Sequence, residues 1–288
     1  MDLQQDKQNK KVEFLCIGAQ KGGTTWLNEQ LLQHSEVYLP PIKEVHYFNY
    51  LYSLQDRNWI PNHYQRPARI RIKQQIEKIE EIGWDDIAYY AELMKGFEDG
   101  IIDDTWYRRV YSLCHDDSLL RGDITPAYLT LTNNGLQFVH AYNSKMRLIV
   151  MLREPVQRAL SAARMMLKWK KITRPTDDQW RTVISGNGVV GKSKYATHLE
   201  NWLQVFPCDQ LLIVPYEKIS VEPESVMDDI CCFLSLSKVK NRSLLNKRIH
   251  SGRGYDVPLW VERWLESQLS NERSAVEKMY PFLSQWWK

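Results

Sequence analysis

The chain has 288 residues, of which 43% are hydrophobic and 25% charged, and its 38 Lys and Arg against 35 Asp and Glu give a formal charge of +3. That length can bury one substantial core without requiring two. The composition excludes a disordered or low-complexity chain, and the small positive balance excludes a broad nucleic-acid surface while leaving room for local anion recognition.

The opening "MDLQQDKQNKK" is polar with no apolar segment behind it, and no later stretch reaches the ~20 apolar residues of a membrane helix. Residues 1–11 therefore read as a flexible lead into a cytoplasmic chain with no membrane insertion. Next, "VEFLCIG" (12–18) predicts a strand and "WLNEQLLQH" (26–34) a helix. Residues 51–117 hold two charged amphipathic helices, "RIRIKQQIEKIEEIGW" and "IAYYAELMKGFED", with no convincing strand between them and no Pro/Gly/Ser-rich linker on either side. They predict a helical insertion covering one end of the sheet.

Strands follow at "SLLRGDIT" (118–125), "MRLIVML" (146–152) and "QLLIVPY" (210–216). Two of these are nearly continuous in Leu, Ile and Val, the pattern of strands buried on both faces. Helical patterns lie between and after them at 135–143, 156–169, 195–206 and 223–236, and the C-terminal segment from Tyr255 reads as a helix with an aromatic face. Alternation of strand and helix predicts an α/β fold: one domain over 1–288 with a central, mostly parallel sheet. Cys16, Cys114, Cys208, Cys231 and Cys232 form no CxxC pair or metal-spaced cluster, so they read as reduced thiols and no metal is expected.

The stretch "GAQKGGTTW" (18–26) sits between the first strand and the first helix. A glycine-rich turn there aims backbone N–H groups and the positive helix end at phosphate or sulfate oxygens. Gly22 and Gly23 allow close approach, Thr24 and Thr25 add hydroxyl donors, and Trp26 offers a π-face for a base. A plain helix start is the competing reading. In the nucleoside-triphosphate loop G-x-x-x-x-G-K-[ST] the lysine would fall at position 24, which is Thr24. Here Lys21 precedes the glycine pair, placed to offset charge on a leaving phosphate oxygen.

A second anchor is "LREPVQRALS" (152–161), where Arg153 ends the strongest strand, Pro155 starts a helix, and Arg158 and Ser161 share a helical face. An arginine and a hydroxyl converging at a strand end suit a second phosphate.

Together "QKGGTTW" and "REPVQRALS" resemble the two signatures of the PAPS-dependent sulfotransferases, PAPS being 3′-phosphoadenosine 5′-phosphosulfate. The resemblance extends through "YATHLENWLQVFPCDQLLIVPYEKI" and is nearest to the glycan-modifying and bacterial branch. It implies a single P-loop-like domain. It also implies that Lys21, Gly22, Gly23, Thr24 and Thr25 hold the 5′ side of PAPS, that Trp26 stacks on adenine, and that Arg153 and Ser161 hold the 3′-phosphate. "HSGRGYDVP" (250–258) is similar to the loop that closes over PAPS, so Gly252 and Arg253 join that set, with Ser251 standing in place of a lysine. "PPIKEVHYFNY" (40–50) resembles the segment carrying the general base, which assigns that role to Glu44 with His46 as partner. An ion pair with Lys43, and a core histidine, are the plainer readings of these two.

Extended backbone would point both Glu44 and His46 to one face. "GDITPAYL" (122–129) departs from the heparan sulfate enzymes, since Ile124 stands where they carry a lysine. The expected partner is an acceptor hydroxyl on a carbohydrate or small molecule, with no nucleic acid. A P-loop phosphotransferase and a non-catalytic nucleotide-binding protein are the alternatives.

Overall fold

The computed structural model describes residues 10–65, 68–69, 84–239, 245 and 255–287. Five parallel strands form one sheet in the order β2-β3-β1-β4-β5: β1 Phe14–Gly18, β2 Val37–Tyr38, β3 Leu120–Ile124, β4 Arg147–Leu152 and β5 Leu211–Pro215. Phe14 pairs with Gly122 on one side and Arg147 on the other, and Leu148 pairs with Leu211.

The central strands are buried except for Arg147 at the start of β4, and their side chains alternate between two cores as the pleat requires. Leu15 and Ile17 of β1, with Leu148, Val150 and Leu152 of β4, enter one apolar cluster. Phe14 and Cys16, with Ile149 and Met151, enter the other. Burial on both faces is why these strands read as continuous apolar runs.

Helices follow the strands: α1 Thr24–Leu31 after β1, α6 Asn133–Tyr142 after β3, α7 Pro155–Trp169 and α8 Asp177–Ile184 after β4, then α9 Tyr195–Leu203 before β5. After β5 come α10 Tyr216–Val221, α11 Pro223–Leu234 and the long α12 Leu259–Met279. Before β3 come α2 Tyr47–Tyr52, which runs into the insertion read over 51–117, and within it α3 Leu54–Arg57, a helical turn over 60–65, α4 Trp84–Glu98 and α5 Asp104–Arg109. Tyr89, Leu93, Trp106 and Tyr107 of the insertion belong to the same cluster as β1 and β4. Tyr107 OH donates to Asp123 Oδ2 (2.9 Å) and Tyr111 OH to Gly122 O (3.0 Å), which fastens the insertion to β3.

The four strands read from sequence are all present, with β2 a fifth, two-residue edge strand. The charged stretch 69–84 lies almost wholly outside the described residues. Lys10 and Lys11, at the end of the lead expected to be flexible, are tied down: Lys10 Nζ donates to Asp117 O and Leu119 O (both 2.8 Å), and Lys11 Nζ to Tyr142 O (2.6 Å). Among the described residues no helix is long and apolar enough to cross a membrane.

Successive strands leave β1 first toward β2 and β3 and then toward β4 and β5, so the direction of winding reverses between β1 and β4. In open α/β sheets ligands bind outside the carboxyl ends of the strands at such a reversal. The loop after β1 and the junction after β4 meet there.

Candidate active site

The loop after β1 folds over the end of β4. Ala19 N donates to Met151 O and Gly22 N to Ala19 O, both at 2.9 Å. A Cβ on Gly22 would lie 2.2 Å from Met151 O, so only glycine permits this approach. Gly23, at φ 99°, caps α1 without a side-chain hydrogen bond. The leading N–H groups of α1 are therefore left for an external acceptor, at the positive end of the helix.

Lys21 is half-buried in the left-handed region, at φ 72°. Burial holds its pKa below the usual lysine value, and the positive charges of Arg153, Lys43 and Arg158 push it further down. Such crowding of cations favours an anion among them. Thr25 Oγ1 accepts from Lys43 Nζ at 2.7 Å, while Thr24 is buried at the first position of α1.

At the β4–α7 junction the Arg153 guanidinium lies over the Tyr216 ring, 4.7 Å from its centroid, and its Nε is buried with no hydrogen-bond partner among the described residues. Glu217 Oε1 accepts from Glu154 N (3.0 Å), and Glu154 Oε2 caps α7 by accepting from Gln157 N (2.8 Å). Ser161 is half-buried on α7, and its hydroxyl makes no intramolecular hydrogen bond among the described residues.

Arg158 lies one turn from Ser161 on the same helix, but its guanidinium turns inward and is used structurally. It is fully buried; its Nε donates to Ser193 Oγ (2.7 Å) and its Nη2 to Gly188 O (3.1 Å) and Val189 O, pinning the 188–193 turn against α7. Its Nη1 is buried without a partner. The turn carries Lys192, half-buried within electrostatic reach of Asp56 and Glu44, with burial lowering its pKa.

Glu44 and His46 come together, but not on extended backbone. Both are left-handed, at φ 63° and 58°, and His46 is the N-cap of α2. Glu44 is 29% exposed at its side chain; its Oε1 is 3.8 Å from Lys43 Nζ and its Oε2 3.4 Å from His46 Nε2. Burial works to raise the Glu44 pKa, but the contact with His46 and the charge of Lys43 outweigh it, so the carboxyl sits below its usual value and is ionised.

His46 is almost wholly buried. Asn49 Nδ2 donates to Ala127 O (3.4 Å), which turns Asn49 Oδ1 toward His46 Nδ1 at 3.2 Å. That nitrogen therefore carries the proton, and Nε2, otherwise without a hydrogen-bond partner, faces the Glu44 carboxylate. Beneath the segment lies the buried Asp123, which accepts from Thr125 Oγ1 (2.6 Å), Tyr107 OH and Tyr128 OH. Burial pushes its pKa up against these three donors.

Trp26 is a correction. It is 6% exposed, packed with Phe14, Leu27 and Leu245, and its Nε1 donates to Leu245 O (3.0 Å). Its place in the first turn of α1 turns the ring toward the sheet, so it presents no free face for a base. Gly252 and Arg253 lie outside the described residues. Ile124 is 3% exposed at the end of β3, a core position.

Tyr216 and Lys192 have no role in the sequence reading, and Lys43 has only that of an ion-pair partner for Glu44. The strand end at Pro215 was the available signal for Tyr216, since it neighbours the end of β4. Among the described residues no group of three or more His, Cys, Asp or Glu is placed to hold a metal ion.

Residues 11–250 match the family model described as a sulfotransferase domain. Heparan sulfate glucosamine 3-O-sulfotransferase 5 of Mus musculus is 26% identical over 231 residues, covering 77% of this chain and 53% of its own length. The chain thus spans about half the length of the curated relatives it matches. A sulfotransferase from Alicyclobacillus acidocaldarius superposes with a TM-score of 0.65 at 20% identity, over 94% of this chain and 96% of its own. The sulfotransferase domain of the Synechococcus PCC 7002 olefin synthase gives 0.55 at 17%, over 94% and 97%. These structures share the parallel sheet and its flanking helices, and the matches do not favour the phosphotransferase reading.

Proposed function

From the premise that the chain belongs to the sulfotransferase domain family, we propose that it moves a sulfuryl group from PAPS to an acceptor hydroxyl, and that the acceptor is a carbohydrate. The observation that carries the reading is the juxtaposition, through Lys43, of a cation-lined anion loop with an ionised carboxylate: Lys43 Nζ is 2.7 Å from Thr25 Oγ1 and 3.8 Å from Glu44 Oε1.

The residues present fit a donor with two phosphate groups. Lys21 and the first N–H groups of α1 would hold its 5′ side, and Arg153, whose Nε is buried and unpartnered, with Ser161 its 3′ side. PAPS bound there supplies the sulfuryl group and a phosphate leaving group. Lys21 provides positive charge where the leaving oxygen gains negative charge, an interaction that strengthens as the bond lengthens and so accelerates the step. Glu44 takes the proton of the attacking hydroxyl. His46 Nε2, 3.4 Å from Glu44 Oε2, lets the pair hold that proton between them. The 3-O-sulfotransferase relative, named for glucosamine in heparan sulfate, supports a sugar acceptor.

Thermal denaturation with 3′-phosphoadenosine 5′-phosphate (PAP), 5′-AMP and Mg·ATP tests the donor, and transfer of ³⁵S from PAPS to N-sulfated and desulfated glucosamine glycans tests the acceptor. PAP at a hundredfold its Kd should stabilise the fold by about 2.7 kcal/mol, and AMP far less. Stabilisation by Mg·ATP alone would return the chain to the phosphotransferases.

A further inference from the structure

Glu44 and His46 are non-glycine residues in the left-handed region, a conformation that costs about 1–2 kcal/mol per residue and persists only where its surroundings over-determine it. What holds them comes from the insertion. His63 Nε2 lies 3.0 Å from Lys43 O and 2.9 Å from Glu44 O, and Tyr64 OH donates to Val45 O at 2.6 Å. Two adjacent side chains of the 60–65 turn thus engage three consecutive carbonyls. Both neighbours of His63 Nε2 are acceptors, so that nitrogen carries the proton and is used up in holding backbone.

The His63 ring also meets the His46 ring edge-on at 5.2 Å between centroids, and Trp59 packs against both, 4.7 Å from His46 and 6.0 Å from His63. Trp59 is itself fixed by its Nε1 donating to Asp56 Oδ1 (2.8 Å). Burial keeps the His63 pKa below the usual histidine value, and a proton shared onto His46 would lower it further. A neutral His63 donates to the carbonyls without adding a second positive charge beside Lys43.

We propose that His63, seconded by Tyr64, is a positioning residue for sulfuryl transfer: it fixes the backbone of Lys43 and Glu44 so that the base carboxylate and the Thr25-bound ammonium keep one register. This rests on the reading of Glu44 as the acceptor base. It gives the insertion a part in the chemistry through its 60–65 turn, without contact to either substrate.

His63→Gln retains an N–H near the position of Nε2, whereas His63→Leu removes it. Since a 1 Å misplacement can cost about a hundredfold in rate, His63→Leu should lower kcat by roughly 10- to 100-fold. Its Kd for PAP should stay within about twofold of wild type, because the donor loop is untouched. His63→Gln should recover most of the lost kcat, and Tyr64→Phe should show a smaller loss of the same kind. Independently of any substrate, ¹⁵N–¹H spectra of the wild-type imidazoles, assigned with His63→Gln, should show His63 protonated at Nε2 and bare at Nδ1 at neutral pH. The opposite tautomer, an unaltered kcat in His63→Leu, or a His63→Gln no better than His63→Leu overturns the inference. Should His63→Leu fail to fold, the tautomer and the Tyr64→Phe rate still decide it. If the wild-type protein transfers no sulfuryl group, the reading of Glu44 fails, while the spectra still report whether the clamp exists.

Discussion

On the loop side of the site, Gly22 packs against Met151 O and Gly23 opens α1, so anion recognition is built from backbone and from cations at two strand ends. On the Glu44 side, the backbone adopts its shape because side chains from elsewhere hold it: His63, Tyr64 and, beneath, Thr125, whose Oγ1 accepts from His46 N. The loop side depends on close approach and is spoiled by adding atoms. The Glu44 side depends on a few long-range hydrogen bonds and is spoiled by removing them. A fold of this kind can keep one anion site while its acceptor side is rebuilt, because the two halves share little beyond Lys43.

The sharpest way to test that separation is Glu44→Gln. A general base contributes about 10²–10⁴-fold in rate, so turnover should fall by that much while PAP still raises the melting temperature as in wild type. Loss of PAP binding in this variant would show that the two sides are not separable. An unchanged rate would leave Glu44 as the partner of Lys43 and nothing more.

Lys21→Ala should come next, lowering kcat about 10²–10³-fold, the scale for losing one donor aimed at developing charge, with a smaller effect on donor affinity. Lys21 also predicts a pH effect. Its pKa is depressed in the free protein by burial and by Arg153, Lys43 and Arg158. The cation is therefore lost as pH rises, at a lower pH than for an ordinary lysine. The alkaline limb of kcat/KM, which reports the free enzyme, should lie below the usual lysine range. The limb of kcat should lie higher, because a bound anion favours the charged form. Coincident limbs, or the same limb in Lys21→Ala, would remove Lys21 from the chemistry.

Arg153→Ala probes the loop side without touching the reacting atoms. A charged hydrogen bond contributes about 1.5–3 kcal/mol, so PAP affinity should weaken roughly 10- to 100-fold, with little change for 5′-AMP, which lacks the 3′-phosphate. Equal losses for both ligands would place Arg153 elsewhere on the nucleotide.

The loop side was also the more legible one. Strands β1, β3, β4 and β5 announce themselves because burial on both faces demands apolar runs, and the phosphate-type turns at Gly18–Thr25 and Arg153–Pro155 follow directly from where those strands stop. The two-residue β2 carries too few positions for any period, and α8 went unread although Thr176 and Gln179 spell its capping box. On the Glu44 side the residues were found but their geometry was not. Alternation along an extended segment was assumed, and the left-handed turns at Glu44 and His46 are imposed by partners such as His63, 19 residues on. His63 has no sequence signature, since its partners are backbone carbonyls that any residue supplies. Trp26 follows the phosphate-type turn at once and so suggests a face for a base, yet its helical position directs it inward.

The smallest expected effect concerns Gly22, and it decides whether the loop side is held by close approach, as argued, or merely by its cations. A methyl group there would lie 2.2 Å from Met151 O and 3.0 Å from Ala19 O, both backbone atoms that cannot rotate away. Gly22→Ala must then lift the loop off the end of β4, at an overpacking cost of about 1–3 kcal/mol, which in a chain of this size lowers Tm by several degrees. Because the same shift moves the first N–H groups of α1 away from Lys21 and Arg153, PAP should stabilise the variant less than it does the wild type. The tautomer of His63 should not change. A Gly22→Ala protein with wild-type Tm and PAP response would mean that the cations alone set the anion site. A variant that altered His63 would mean that the loop and the clamp are one mechanical unit, coupled through the Lys43–Thr25 hydrogen bond.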